Sequence, residues 1–344
     1  MPSSPTSYPK DNKDQTGFLW RDRNVERGKG LFADHGFLLG VAILSLILLI
    51  VALIPFAGPI VIMAPLPVLY YCYRFGRVQG MAVLVVSFLV VSGILGLLGR
   101  PPNFALLLMI GLTGVMLSEV LKRGYSFDKT FLIASLALFF FGIGLMIFHA
   151  LRVGVSPWEM IDRYVMEIAN DNLLLYEKLG IPADQLLLIR ENLPQITQFF
   201  AGIFPALALS GAIITVWLNL IAGRLLLQRS AVGFPDFGDL SLWKAPERLV
   251  WILIAAGGMV LAPGILNIVG MNLLIVCGLI YFCQGMAIAG YFFRRRKVPV
   301  ILRFLFYLLI LVQQYMVLVV IAFGLFDIWI DFRKRITEIK DVQA

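Results

Sequence analysis

The sequence predicts an all-α, polytopic transmembrane helical bundle of eight or nine spans with an external amphipathic helix. Three observations carry this. Hydrophobic residues make up 60% of the 344-residue chain and charged residues only 15%, against about 25% charged in a soluble domain. The apolar residues gather into runs that approach or exceed the ~20 residues a bilayer core requires. The basic residues behind the net charge of +8 stand at the ends of those runs. The positive-inside rule puts them there, so the charge points to a lipid bilayer and not to nucleic acid.

Residues 1–35 read as a polar, disordered cytoplasmic tail without the apolar core of a signal peptide. Phe37–Ile54 is the first span, with Gly36 and Gly40 spaced for close helix approach. Phe56–Gly80 follows, apolar enough to enter a bilayer but interrupted by Gly58, Pro59, Pro65 and Pro67. A proline removes a backbone donor and crowds the preceding turn. In lipid, the carbonyls it frees must find partners in protein or in a wet cavity. Broken segments line binding sites in transporters, and kinked helices that only pack are common too. The segment closes with Tyr70, Tyr71, Tyr73, Arg74 and Gly76, an aromatic and basic edge. Gly80–Leu98, Phe104–Leu121 and Thr130–Leu151 are the next spans, ended by Arg100, by Lys122 and Arg123, and by Arg152.

Ser156-Pro157-Trp158-Glu159 is a helix start, with serine as N-cap, proline at the first position and glutamate three residues on. Gly180-Ile181-Pro182 is the matching stop. Between them Trp158, Ile161, Val165, Ile168, Asn172, Leu175 and Leu179 form a heptad-like seam. It lies either on the protein's own bundle or against another chain. A second short helix is expected over Ala183–Asn192. Phe199–Leu227 is the sixth span. Pro246 opens a short seventh, Leu249–Leu261; Met271–Phe293 is the eighth, and Pro299–Ile330 the ninth. Residues 36–228 thus form a six-span unit with an insertion at 155–194, residues 229–332 add two or three spans, and 333–344 are a polar tail. With the N-terminus inside, the insertion is extracytoplasmic and the Arg294–Lys297 cluster cytoplasmic. Nine spans would place Arg333, Lys334 and Arg335 outside, against the charge rule; eight would not.

The chain is poor in reactive groups at depth. His35 precedes the first span and His149 ends the fifth. There is no zinc spacing, no phosphate-cradling glycine loop and no nucleophile–base set, so neither a metal, a cofactor nor an enzyme is expected. Cys72, Cys277 and Cys283 sit in apolar runs and suggest no disulfide framework. Glu119 is placed to pair with Lys122 and Arg123, and Asp327, Asp331 and Arg335 follow one helical face at steps of four. Intramembrane acids, which mark proton paths, are nearly absent. Neutral polar groups are better represented: Trp217, Asn219, Asn272, Gln284, Gln313 and Gln314. They join helices by hydrogen bonds or, gathered around the broken segment, bind a small neutral or weakly polar solute. The candidate binding set is Pro65, Pro67, Tyr71, Trp217, Asn219 and Gln284.

Several short motifs carry a resemblance. Pro65-Leu-Pro67 with Arg74-Phe-Gly76, Trp243-Lys-Ala-Pro246, Tyr281-Phe-Cys-Gln-Gly-Met-Ala287, and Gly324-Leu-Phe-Asp-Ile-Trp-Ile-Asp-Phe-Arg333 make the chain similar to the YybS-like family of bacterial membrane proteins. Arg74, Gly76, Trp243, Pro246, Asp327, Asp331 and Arg333 are accordingly read as structural or topological positions. The first six spans also resemble the S components of energy-coupling-factor vitamin transporters. That resemblance implies a six-helix substrate binder working with a separate ATPase module in a bacterial inner membrane. The extra spans and the external insertion depart from that pattern. The expected function is small-molecule binding or transport; the alternative is a membrane scaffold or assembly factor that holds partner proteins.

Overall fold

The computed structural model describes residues 35–54, 58–100, 104–228, 235 and 237–335. The reading of residues 1–34 and 336–344 as polar tails falls outside them. Among the described residues every regular element is helical: α1 (His35–Leu53), α2 (Gly58–Val61), α3 (Pro65–Phe75), α4 (Arg77–Leu97), α5 (Phe104–Lys122), α6 (Phe127–Val153), α7 (Pro157–Lys178), α8 (Ala183–Gln228), α9 (Leu249–Val260), α10 (Ile265–Arg295), α11 (Val300–Val312) and α12 (Gln314–Ile330). Six of these are long and apolar enough to cross a membrane, or seven if the bent pair α11–α12 counts as one.

The broken segment is the innermost part of the first half. Its prolines stop α2 and start α3, where Pro65 takes the first helical position and its missing donor costs nothing. The 11-residue α3 buries Pro65, Pro67, Val68, Leu69, Tyr71 and Cys72 and packs against α1, α4, α5 and α8. The Tyr71 hydroxyl donates to the carbonyl of Gly36 at the start of α1. The chain has therefore returned along the bundle. Gly76 then turns it into α4 with φ of 102°, a conformation that a side chain resists. At the far end, Arg100 Nη1 donates to the Ala52 carbonyl at 3.1 Å, so α4 runs back beside α1.

Lys122 Nζ donates at 2.9 Å to the Cys72 carbonyl near the C-terminal end of α3, the kind of cation that end favours. Glu119 pairs with Arg77 at 3.1 Å and with Lys122 at 3.7 Å; Arg77 on α4 takes the place expected of Arg123. Trp243 Nε1 donates to Asp128 at 2.5 Å, and Arg294 pairs with Asp239. These links gather the cationic helix termini at one end of the bundle, here called the basic end. The helix α7 lies at the other.

Three expectations change. The helix expected over Ala183–Asn192 and the sixth span are one 46-residue helix, α8, with Pro194 and Pro205 inside it. The Asn272 side chain makes this possible at Pro205. Its Oδ1 accepts from Ala206 N at 2.8 Å and its Nδ2 donates to Gly202 O at 2.9 Å, splicing an amide into the helical ladder. The ninth span is not one straight helix but two helices bent by 110° at Gln313, whose backbone there is extended. The seventh is a 12-residue helix, short of the ~20 residues a crossing takes. It folds back on α10 through Gly264, with Gly270 against the α9 backbone.

The external helix keeps its expected cap: Ser156 Oγ accepts from Glu159 N at 3.0 Å, and Gly180 follows at φ of 76°. Its seam does not pack as spaced. Trp158, Ile168 and Leu179 are 51%, 44% and 69% exposed, whereas Ile161 and Leu173 are 4% and 5% exposed. The helix packs on α6 and α8 of its own bundle, the first of the two arrangements the seam allowed, with Ile161 buried and Val165, Asn172 and Leu175 half-buried while the rest of the seam faces outward.

Candidate functional site

At the break between α2 and α3 the carbonyls of Val61, Ile62 and Met63 all have donors among the described residues. Ala64 N donates to Val61 O at 3.0 Å and Leu66 N to Met63 O at 3.1 Å. The carbonyl between them, on Ile62, accepts from Asn219 Nδ2 at 2.6 Å across the bundle. Asn219 is fully buried and also bonds the Thr215 carbonyl of its own helix at 2.7 Å. Its Oδ1 has no partner among the described residues. Close packing seals the other side. A Cβ built on Gly114 of α5 would stand 2.6 Å from Val68 and 2.9 Å from the Pro65 carbonyl.

Pro65, Pro67 and Tyr71 are core residues of α3, and Trp217 packs on the cluster that holds Leu69, with Tyr70 and Tyr73. Gln284 lies elsewhere. Its Oε1 accepts from Ala245 N at 3.0 Å and its Nε2 donates to Asp327 Oδ2 at 3.1 Å. The six residues of the expected binding set do not converge, and none lines the cavity described next. A buried amide or proline reads the same in sequence whether a ligand or the protein satisfies its surroundings.

Of the structural positions, Trp243, Asp327 and Arg333 meet at one buried junction with Asp331 at its edge, while Arg74 and Gly76 lie at the α3–α4 turn. Arg333 Nη1 pairs with Asp327 at 2.5 Å. Its Nε and Nη2 donate to the carbonyls of Ser241 and Trp243 at 3.0 and 2.8 Å. Phe332 N donates to the other oxygen of Asp327 at 3.0 Å. Asp331 pairs with Lys244 at 3.2 Å. The expected Asp327–Asp331–Arg335 ladder is thus replaced. Helix α12 ends at Asp331, whose left-handed φ of 46° turns the chain back and brings Arg333 over Asp327. Glycines let the parent helices touch. A Cβ on Gly285 would stand 2.1 Å from Val320 O, and one on Gly324 2.0 Å from Tyr281 O. Arg74, outside the junction, rests on Tyr70 and Phe75 at 5.7 and 4.9 Å from their ring centroids.

A cavity that suits a ligand lies elsewhere, between α5, α6 and α8 and under α7. Its volume is about 940 Å³. Its walls are mainly apolar, with Met109, Phe139, Met146 and Phe204 among them; Gly142, Ala208 and Gly211 supply the width. A Cβ on Gly211 would meet nothing within 4 Å. The polar groups gather at the α7 end: His149, Arg163, Tyr164 and Glu167; Thr215 lies at the other end. Arg163 is held by Glu159 at 2.6 Å. Between Leu138 and His149, both in the wall, α6 rises roughly 16 Å at 1.5 Å per residue. The signal for this site was in the sequence as Ala208, Gly211, Ala212 and Thr215, a stripe of small residues at helical spacing on one face of α8. Among the described residues no group of three or more histidine, cysteine, aspartate or glutamate side chains is placed to hold a metal.

An all-helical bundle with several membrane-length apolar helices and an apolar cavity between them defines a multi-pass integral membrane protein. The family described as "Predicted membrane protein (DUF2232)" matches residues 42–328, and the chain belongs to it. No curated protein and no solved structure matches the chain.

Proposed function

We propose that this protein binds, and as part of a transport system moves, a small neutral or weakly polar molecule with an apolar body. The site is the cavity among α5, α6, α7 and α8. The observation that carries this is the cavity's build: a long apolar chamber with its polar side chains collected at the α7 end, the usual composition of a ligand site. On this reading the protein is not itself an enzyme. Its first six spans work in the manner of an S component with an ATPase partner, as their resemblance to the S components of energy-coupling-factor transporters suggests. The basic end faces the cytoplasm of a bacterial inner membrane together with the N-terminus, and α7 lies outside. The charge supports that orientation: Arg74, Arg77, Lys122 and Arg123 share the basic end, while α7 carries more acids than bases.

The test is native mass spectrometry of the purified protein beside Gly211→Leu. The expected result is a co-purified molecule that the variant, folded to the same extent, has lost. An empty wild-type protein whose thermal stability responds to no apolar small molecule in a screen sinks the reading.

The scaffold reading rests on a different observation. The α7–α8 hairpin exposes Trp158, Ile168, Leu174, Leu179, Leu187 and Leu188, more apolar surface than a solvated hairpin needs. Labelling of the basic end by an impermeant reagent in intact cells overturns the orientation under either reading.

A further inference from the structure

A second cleft opens at the basic end, where the last turns of α8 and α10 meet the chain at Gly238–Ser241. It is an open cleft of about 640 Å³, and its polar side chains include Arg224, Arg294 and Asp239. The charges do not cancel evenly. Arg294 is held by Asp239, and the same carboxylate oxygen accepts from Ser241 N at 3.0 Å and Ser241 Oγ at 2.9 Å. Asp239 is thereby committed to Arg294 and Ser241 through that oxygen. Arg224 lines the same cleft and makes no hydrogen bond or ion pair with a protein group among the described residues.

The position of Arg224 makes that vacancy of partners meaningful. It stands in the last turns of a membrane-length helix, followed by Leu225 and Leu226, which are exposed apolar residues. That is the edge of the hydrocarbon layer, where an arginine ordinarily extends into water. Arg224 is instead half-buried in a walled cleft. A guanidinium removed from water gains most from an oxyanion, which its planar fork binds at two points. The α8 dipole does not supply this attraction, since a helix C-terminus is partly negative. The Arg224 guanidinium does. Basic clefts between membrane helices at this depth suit phosphate head groups, while neighbouring apolar walls, here Ile221 and Leu225, suit the glycerol and chain below.

We propose that this cleft is a binding site for a phosphate oxyanion, held by Arg224 and supplied by an anionic phospholipid of the adjoining leaflet. It is separate from the cavity under α7 and does not depend on what that cavity binds.

The test is thermal unfolding of the full-length protein in neutral detergent, with phosphatidylglycerol, phosphatidylcholine or inorganic phosphate added. Wild type and Arg190→Gln, a change at the opposite end, should gain several degrees with phosphatidylglycerol. Arg224→Gln should lose that gain and Arg224→Lys keep part of it. Inorganic phosphate giving the full gain by itself would uphold the oxyanion site and move its source from lipid to free phosphate. An equal gain with phosphatidylcholine, or an undiminished gain in Arg224→Gln, overturns the proposal. Wild-type protein at rising ionic strength gives a reading that needs no variant. The gain should fall as salt screens the contact, and a salt-independent gain also overturns the site.

Discussion

The break between α2 and α3 and the chamber under α7 invite comparison, because their sequences advertise them in opposite ways. The break has two prolines within three residues and freed carbonyls, the marks of a site. In the structure it is solid: Asn219 answers Ile62, and there is no room beyond Gly114. The chamber lies beside α8 where Asn272 keeps that helix continuous past Pro205, and Gly211 looks into open space. The difference shows that a freed carbonyl and an empty volume are separate things. A carbonyl needs only one donor, and a bundle supplies that with one amide. A chamber needs small residues on several facing helices, and nothing about a proline provides those.

The Asp327–Arg333 junction belongs with the break, as a polar region closed by the protein's own partners, and it sets the upper limit of the comparison. Asp327→Ala should cost about 3–5 kcal/mol in reversible unfolding, since it strands a buried guanidinium. A cost below ~1 kcal/mol would show that water already reaches it. Next, Asn219→Leu should cost roughly 1–3 kcal/mol by leaving the Ile62 carbonyl unanswered. An unchanged midpoint, with a new solute bound at the break, would reverse the comparison.

Glycine substitutions then set the two regions side by side. Gly114→Ala should destabilise by about 1–3 kcal/mol through overpacking against α3. Gly211→Ala should stabilise by roughly 0.5–1 kcal/mol, because a helical glycine is relieved and nothing is displaced. Similar effects at both positions would mean that the chamber closes in the membrane. Ile168→Asp on α7 should change stability by no more than ~0.5 kcal/mol, as an exposed position would. A fall in oligomeric state measured by light scattering would instead show that its seam meets another chain.

The smallest effect concerns pH at the basic end. Burial pushes the Asp239 carboxyl up, but the hydrogen bonds from Arg294 and Ser241 outweigh it and hold it below the ordinary value of 3.8. A carboxyl with a depressed folded pKa contributes stability above its unfolded value and loses it as pH falls through the folded one. The Asp239–Arg294 latch should therefore be intact from neutrality down to about pH 4 and weaken below it. Asp239→Asn should flatten that part of the acid unfolding curve.

The motifs at Trp243–Pro246, Gln284 and Asp327–Arg333 were legible as positions that matter, because each combines a residue type rare at such depth with a glycine or proline nearby. Their partners were not. Arg335 was the natural choice for Asp331 on a continuous helix, and only the left-handed turn at Asp331 made Arg333 the partner of Asp327 and Lys244 that of Asp331. His149, read as an interfacial side chain, is where the sequence came nearest the chamber without identifying it.

By itself the sequence determined the membrane class, the helical content, the placement of most spans and the caps of α7. These follow from hydropathy summed along a run and from local backbone chemistry, and neither needs a distant residue. Tertiary structure alone decided that α8 is continuous through Pro205, that residues 299–330 bend at Gln313, and that the break is filled while the chamber is open. Each of those depends on which side chain arrives from a helix far away in sequence: Asn272 for α8, Asn219 for the break, and the small faces of α6 and α8 for the chamber. Hydropathy has no term for that arrival, since lipid and a neighbouring helix are equally apolar to a buried leucine, and packing is what tells them apart.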